Sequence, residues 1–215
     1  MRACLPVAVS VFAYGAVYGA LARAAGLTLA EALWSSALVF AGSAQFAALG
    51  LWTTPLPVVA LILTTLVINL RHLLLGAAIR DRFAGWSPRA TYGALFFLVD
   101  ENWALTTATS AGGGFLAGSG LVLYVAWVGA TLTGALVGGA LPDPTRFGLD
   151  FAFPAVIIAL ATSLWRGRST LLPWAVAAIS ACLVARWLPG GWPILLGGLA
   201  GSTVGAWREV ARDVA

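Results

Sequence analysis

The sequence is poor in charge. Only 9% of its 215 residues are Asp, Glu, Lys or Arg, where a soluble globular domain carries about 25%. A water-facing surface cannot be covered with so few, so most of this surface must face lipid. The hydrophobic share of 60% and the mean hydropathy of +0.93 point the same way. Lysine is absent: all 12 basic residues are Arg, standing singly or in pairs between apolar runs, as at Arg80 and Arg82 or Arg166 and Arg168. The net charge of +4 and pI near 9.7 therefore mark charge that flanks membrane segments rather than a stripe that tracks phosphates. No nucleic-acid partner is expected. The two cysteines, Cys4 and Cys182, are widely separated and sit in apolar context, which excludes a disulfide framework or a metal-site spacing. No Walker A pattern, no His-Glu-x-x-His pattern and no cysteine cluster is present. ATP hydrolysis and metal catalysis thus have no home, and no catalytic residue, metal or cofactor is expected. Ser43 and His72 lack a nucleophile elbow and are not read as a protease dyad.

What is present is a succession of long apolar runs. Spanning the hydrocarbon core takes roughly 20 apolar residues, which gives about eight segments: Leu5–Leu21, Ala32–Trp52, Leu56–Ile79, Thr91–Thr109, Leu121–Leu141, Phe151–Trp165, Leu171–Trp187 and Trp192–Trp207. Turn-like breaks separate them at Thr53-Thr54-Pro55, Ser87-Pro88, Gly112-Gly113-Gly114, Pro142-Asp143-Pro144 and Pro189-Gly190-Gly191. Trp and Tyr gather near segment ends, as in an aromatic belt. The fold class is all-α: a polytopic helical bundle forming one transmembrane domain over residues 1–215, with one or more segments broken or re-entrant. The first run imitates a signal peptide, down to Ala20-Leu21-Ala22 as a cleavage-like site, but Tyr14, Tyr18 and its glycines suit packing against other helices. Gly15–Ala22 and Gly134–Pro142 echo each other weakly, as internal repeats of transporters do.

Charge asymmetry orients the chain. The loop with Arg80, Arg82 and Arg89 is expected on the cytoplasmic side, and the Arg-free loops at Thr53 and Gly112 opposite it. Alternate counting then places Arg166, Arg168, Arg208 and Arg212 outside. A re-entrant Phe151–Trp165, with Pro154 in its first turn, removes that conflict, and irregular backbone at that depth requires cover by protein or water. Asp150 precedes this segment as an N-cap or as a polar lining of its mouth.

The informative residues are the polar ones inside apolar runs, because a charge at mid-bilayer costs several kcal/mol and faces a partner or a wet cavity. Arg71 and His72 lie in Ile68–Ile79, with Arg71 roughly 13 Å along a helix from Arg80. Asp100 and Glu101 lie roughly 18 Å beyond Pro88 on the following helix, so acids and Arg reach similar depth from the same side. The cluster reads as a structural ion pair or as a substrate or proton site; two acids and a His beside one Arg leave titratable capacity beyond neutralisation. Gly42-Ser43-Ala44-Gln45-Phe46 interrupts the second segment. It is either a broken helix that binds substrate through freed backbone groups or a small-residue seam with an interhelical bond from Gln45. Asn69 and Asn102 each neighbour a charged cluster.

Phe40–Leu51 (FAGSAQFAALGL), Ile68–Ile79 (INLRHLLLGAAI), the Asp100-Glu101 pair and Gly148–Leu160 (GLDFAFPAVIIAL) together resemble the AzlC family, the large subunits of bacterial branched-chain amino acid exporters. The four motifs stand in the right order and spacing, and the resemblance covers nearly the whole chain. The resemblance implies an inner-membrane secondary exporter of small hydrophobic amino acids that works with a small AzlD-type membrane subunit. On that basis Arg71, or a half-helix N-terminus near Gly42 and Ser43, would hold the substrate carboxylate. Asp100 or Glu101 would hold its ammonium or carry a coupling proton, with Gln45, Asn69 and His72 completing the site. The alternative is a non-transporting scaffold whose partner forms the pathway.

Overall fold

The structure is a computed structural model, and it describes residues 4–140, 167–188 and 192–213, with Ile158, Thr162 and Trp165 besides. The expectations for Asp150, for most of Phe151–Trp165 and for the Gly148–Leu160 motif lie outside the described residues. Among the described residues all regular structure is helical, as required where lipid offers the backbone no hydrogen-bond partner. The chain divides into two compact units, residues 1–49 with 68–152 and residues 50–67 with 153–215. Four stretches are long and apolar enough to cross a bilayer: Leu5–Ala24, Val58–Ala78, Gly113–Ala140 and Gly167–Val184. The fold is that of a helical membrane protein.

In the first unit, α1 (Leu5–Ala24) and α8 (Gly113–Ala140) form the central pair. Gly15 lies against Trp127 and Ala130, and Gly19 against Thr131 and Ala135. The contacts advance together along both helices, so the two run parallel. A Cβ on Gly134 would overlap the Ala16 carbonyl, and one on Gly138 would sit 2.7 Å from Ala20 Cα. Backbones this close need small residues on both sides. The two glycine-rich segments that echo each other in sequence are thus the two faces of one seam.

Two expected spans, Ala32–Trp52 and Thr91–Thr109, do not cross; each is a helical hairpin that returns to the end where it began. The first comprises α2 (Leu29–Val39) and α3 (Gly42–Gly50). Thr28 Oγ1 accepts from the Glu31 N–H while Glu31 Oε2 accepts from the Thr28 N–H, a capping box that starts α2. Phe40 then adopts a left-handed conformation at φ 43°, which ends α2. In a continuous helix Ser35 and Gln45 would stand about 15 Å apart; instead Gln45 Nε2 donates to Ser35 Oγ at 3.2 Å, so α3 lies back along α2.

The second hairpin comprises α6 (Pro88–Phe96) and α7 (Asp100–Ala108). Ser87 Oγ accepts from the Ala90 N–H and Pro88 opens α6. Phe97 lies against Gly120 on α8, Asn102 bonds the Leu116 carbonyl, and Arg82 Nη1 donates to the Ser110 carbonyl at 2.6 Å while Phe83 packs on Gly113. The chain therefore climbs α8 and comes back down it. This corrects the expected topology: the Gly112 turn sits at the same end as the Arg80–Phe83 3-10 turn, not opposite it. A broken segment has the same composition as a spanning one, so counting apolar residues could not separate them.

Between the hairpins in sequence, α4 (Val58–Asn69) passes through a turn at Leu70 into α5 (Arg71–Ala78). In the second unit, α9 (Leu171–Val184) and α10 (Trp192–Asp213) form an antiparallel pair. Gly197 fits against Ala177 and Ala181, and Gly201 against Pro173 and Ala177. Arg208 Nη1 reaches the Ser169 carbonyl at 3.3 Å.

Candidate functional site

Three helix interruptions lie in the first unit: the tip of α2–α3, the Leu70 turn between α4 and α5, and the tip of α6–α7. Each is followed at once by polar residues, which occupy the first turn of a half-helix: Gly42 and Ser43 on α3, Arg71 and His72 on α5, Asp100 and Glu101 on α7. Arg71 ties the three together. Its Nη1 lies 2.7 Å from Asp100 Oδ2 and its Nη2 donates to Ser43 Oγ at 2.7 Å. The matched depth inferred from sequence is therefore a contact, and the partner of Arg71 is Asp100. The α7 N-terminus favours the two carboxylates, whereas Arg71 stands at the α5 N-terminus against the dipole; Asp100 compensates it. With one guanidinium and two carboxylates, Glu101 is the carboxylate left over, and among the described residues it makes no ion pair.

The Leu70 turn has neither Pro nor Gly. There the Leu73 N–H bonds the Leu70 carbonyl at 3.1 Å, tighter than α-helical spacing. The Asn69 carbonyl so released is taken up by His72 Nδ1 at 3.1 Å. His72 thus supports the turn, and its Nε2 is the nitrogen left for other chemistry. Asn69 Oδ1 is buried without a partner.

Two buried amides hold the hairpins shut. Gln45, 4% exposed, donates to Ser35 and Ser36 Oγ at 3.2 and 3.1 Å, and its Oε1 accepts from Trp127 Nε1 at 3.1 Å. Ser36 in turn bonds Thr131 Oγ1 at 2.7 Å, and Tyr18 bonds Ser35. Asn102, fully buried, accepts from the Val99 N–H at 2.9 Å and donates to the Phe97 and Leu116 carbonyls at 2.7 and 3.3 Å. Gly42 is needed where it is: a Cβ there would meet Trp127 Cη2 at 3.0 Å. Of the residues singled out by sequence, Ser43, Arg71, Asp100 and Glu101 gather around the charge, with Asn69 and His72 beside it. Gln45 and Gly42 face Trp127 behind the α3 turn. Sequence reasoning missed Ser35, Ser36, Trp127 and Thr131, and read Tyr14 and Tyr18 as packing residues alone, which they also are. The Ser35-Ser36 pair, five and four residues before Phe40 as Gln45 is five after it, was the one local signal of a fold-back.

Both hairpin tips meet one aromatic ring. Tyr124 on α8 lies 5.1 Å from Phe40 and 5.4 Å from Phe97, centroid to centroid, and its hydroxyl bonds the Ala37 carbonyl at 3.0 Å.

These features define a class: a polytopic α-helical membrane protein with paired hairpins and a charged site where its helices break, an arrangement suited to holding a small polar or zwitterionic solute away from lipid. Residues 6–141 match the AzlC protein family, a stretch that includes all of α1–α8 but the first residue. The chain belongs to the AzlC family. It is 30% identical to an uncharacterized membrane protein of Archaeoglobus fulgidus over 76% of this chain and 73% of that one. It is 26% identical to the branched-chain amino acid transport protein AzlC of Bacillus subtilis over 76% of this chain and 67% of that one. It is 23% identical to the inner membrane protein YgaZ of Escherichia coli over 78% and 72%. No solved structure matches the chain.

Proposed function

We propose that this protein is a secondary transporter that exports branched-chain or other hydrophobic amino acids across the cytoplasmic membrane of a bacterium, driven by protons. On this reading residues 1–215 act as one transporter domain, working with a small AzlD-type subunit. The observation that carries the reading is Arg71, bonded at once to Ser43 and Asp100 where three helices break. An amino acid is a zwitterion, so it can enter such a pair without changing the net charge of the site. Its carboxylate is held by Arg71, or docks at the α3 N-terminus beside Ser43. Asp100 or Glu101 holds its ammonium or carries the coupling proton. The name of the Bacillus subtilis relative supports the substrate class.

The test is efflux of labelled valine from loaded cells, with and without the small subunit, before and after collapse of the proton gradient. Export that needs the subunit and stops with the gradient is the expected result. Export that persists without a gradient removes proton coupling, and no export in any setting removes the transporter assignment in favour of a scaffold.

A further inference from the structure

Among the described residues, three buried side-chain atoms around the Arg71–Asp100 pair have no hydrogen-bond partner: the Tyr14 hydroxyl, Arg71 Nε and Asn69 Oδ1. Leaving such atoms unpaired away from water is costly. One other in this unit, Trp103 Nε1, belongs to a side chain packed on the apolar cluster around Leu116, where shape alone accounts for the ring. The three at the ion pair differ in standing beside charge: one belongs to the guanidinium itself, one lies two residues from it in sequence, and one is within electrostatic reach of Arg71 and Glu101. Arg71 and Asn69 are two residues apart at the Leu70 turn. Tyr14 comes from α1: its ring lies 4.7 Å from Phe46 and 6.0 Å from Trp127. Phe46 follows Ser43 by three residues and shares its side of α3. Arg71 and Glu101 both lie within electrostatic reach of the Tyr14 hydroxyl.

The inventory has a chemical meaning. Two of the atoms carry protons to donate, one of them in the guanidinium itself; the third accepts. The other two guanidinium nitrogens are already taken by Ser43 and Asp100. An α-amino acid presents a carboxylate that needs donors and an ammonium that needs acceptors.

We propose that Tyr14 is a substrate-binding residue whose hydroxyl, together with Arg71 Nε, donates to the α-carboxylate, while Asn69 Oδ1 accepts from the α-ammonium. This rests on the transporter reading above and deepens it. The site then selects for a free α-carboxylate, leaving the side chain to the apolar walls.

The test uses purified full-length wild-type protein and the Tyr14→Phe and Asn69→Leu variants, titrated with valine and with valinamide, followed by thermal unfolding. Since the Tyr14 hydroxyl bonds no protein group, Tyr14→Phe is expected to unfold at the same or a higher temperature without ligand. Its valine affinity should fall about ten- to a hundred-fold, the loss expected for one hydrogen bond to a charged group. The penalty should shrink for valinamide, which has no carboxylate. Unchanged valine affinity in Tyr14→Phe, with or without a lower unfolding temperature, overturns the assignment and leaves the transporter reading intact. A wild type that binds no branched-chain amino acid overturns both.

Discussion

At the scale of single residues, Arg71 decides most of the outcomes. Arg71→Leu or Asp100→Leu leaves an unpaired charge, and breaking a buried pair costs about 3–5 kcal/mol. Here the side chains are 39% and 49% exposed, so each single variant is expected to lose less than that. Removing both charges together should restore folding, read as the yield of monodisperse protein, without restoring valine flux. If the double variant also transports, the pair is only a brace. Glu101→Gln should insert and fold normally yet abolish gradient-driven export; full export in that variant counts against Glu101 as the proton carrier. Gln45→Leu strips three hydrogen bonds and strands Trp127 Nε1. It should lower the unfolding free energy by about 1–3 kcal/mol, measured by thermal or denaturant melts.

At the scale of elements, the seam and the hairpins depend on missing side chains. Gly120→Ala places a methyl 2.7 Å from Asn102 Nδ2 and against the Phe97 carbonyl. It should cost about 1–3 kcal/mol by overpacking and reduce transport with it. Gly129→Ala, on the same helix but with open space where its methyl would stand, should do neither. Sequence alone located these elements well and their direction poorly. The polar interruptions at Gly42–Phe46, Asn69–His72 and Asp100–Asn102 are conspicuous because ionisable and amide groups are rare in lipid, and the depth argument that joined Arg71 to the acids needed only helical rise. The path of the chain beyond each interruption is harder to read. Phe40 enters a left-handed turn without glycine, and Asn102 reaches a carbonyl on a helix that has yet to begin. Neither is encoded within the segment that turns. Charge asymmetry calls for a re-entrant segment and points to Phe151–Trp165, most of which lies outside the described residues. The hairpins among the described residues are at Leu29–Gly50 and Pro88–Ala108.

At the scale of the whole molecule, the hairpins change the topology in a way that labelling can read. In a background with Cys4→Ala and Cys182→Ser, single cysteines at Gly85 and at Gly112 should react with an impermeant maleimide from the same side of the membrane. A cysteine at Gly26, at the other end of α1, should react from the opposite side. Gly85 and Gly112 labelling from opposite sides would mean that α6–α7 crosses after all. The positive-inside expectation for the Arg80 loop predicts that this shared side is the cytoplasm.

The dependence of both hairpins on α8 has a consequence for how the protein is made. The hairpin half-helices, 9 to 11 residues long, are too short to be handed sideways into lipid as spanning segments. The groups that fasten them, Leu116 for Asn102, Trp127 for Gln45 and Thr131 for Ser36, are all translated later. A nascent chain halted before α8 leaves the ribosome with its hairpins unfastened and its ion pair unsupported. Assembly of the site must therefore wait for α8, synthesised last among the described helices of its unit, to slot in beside the first.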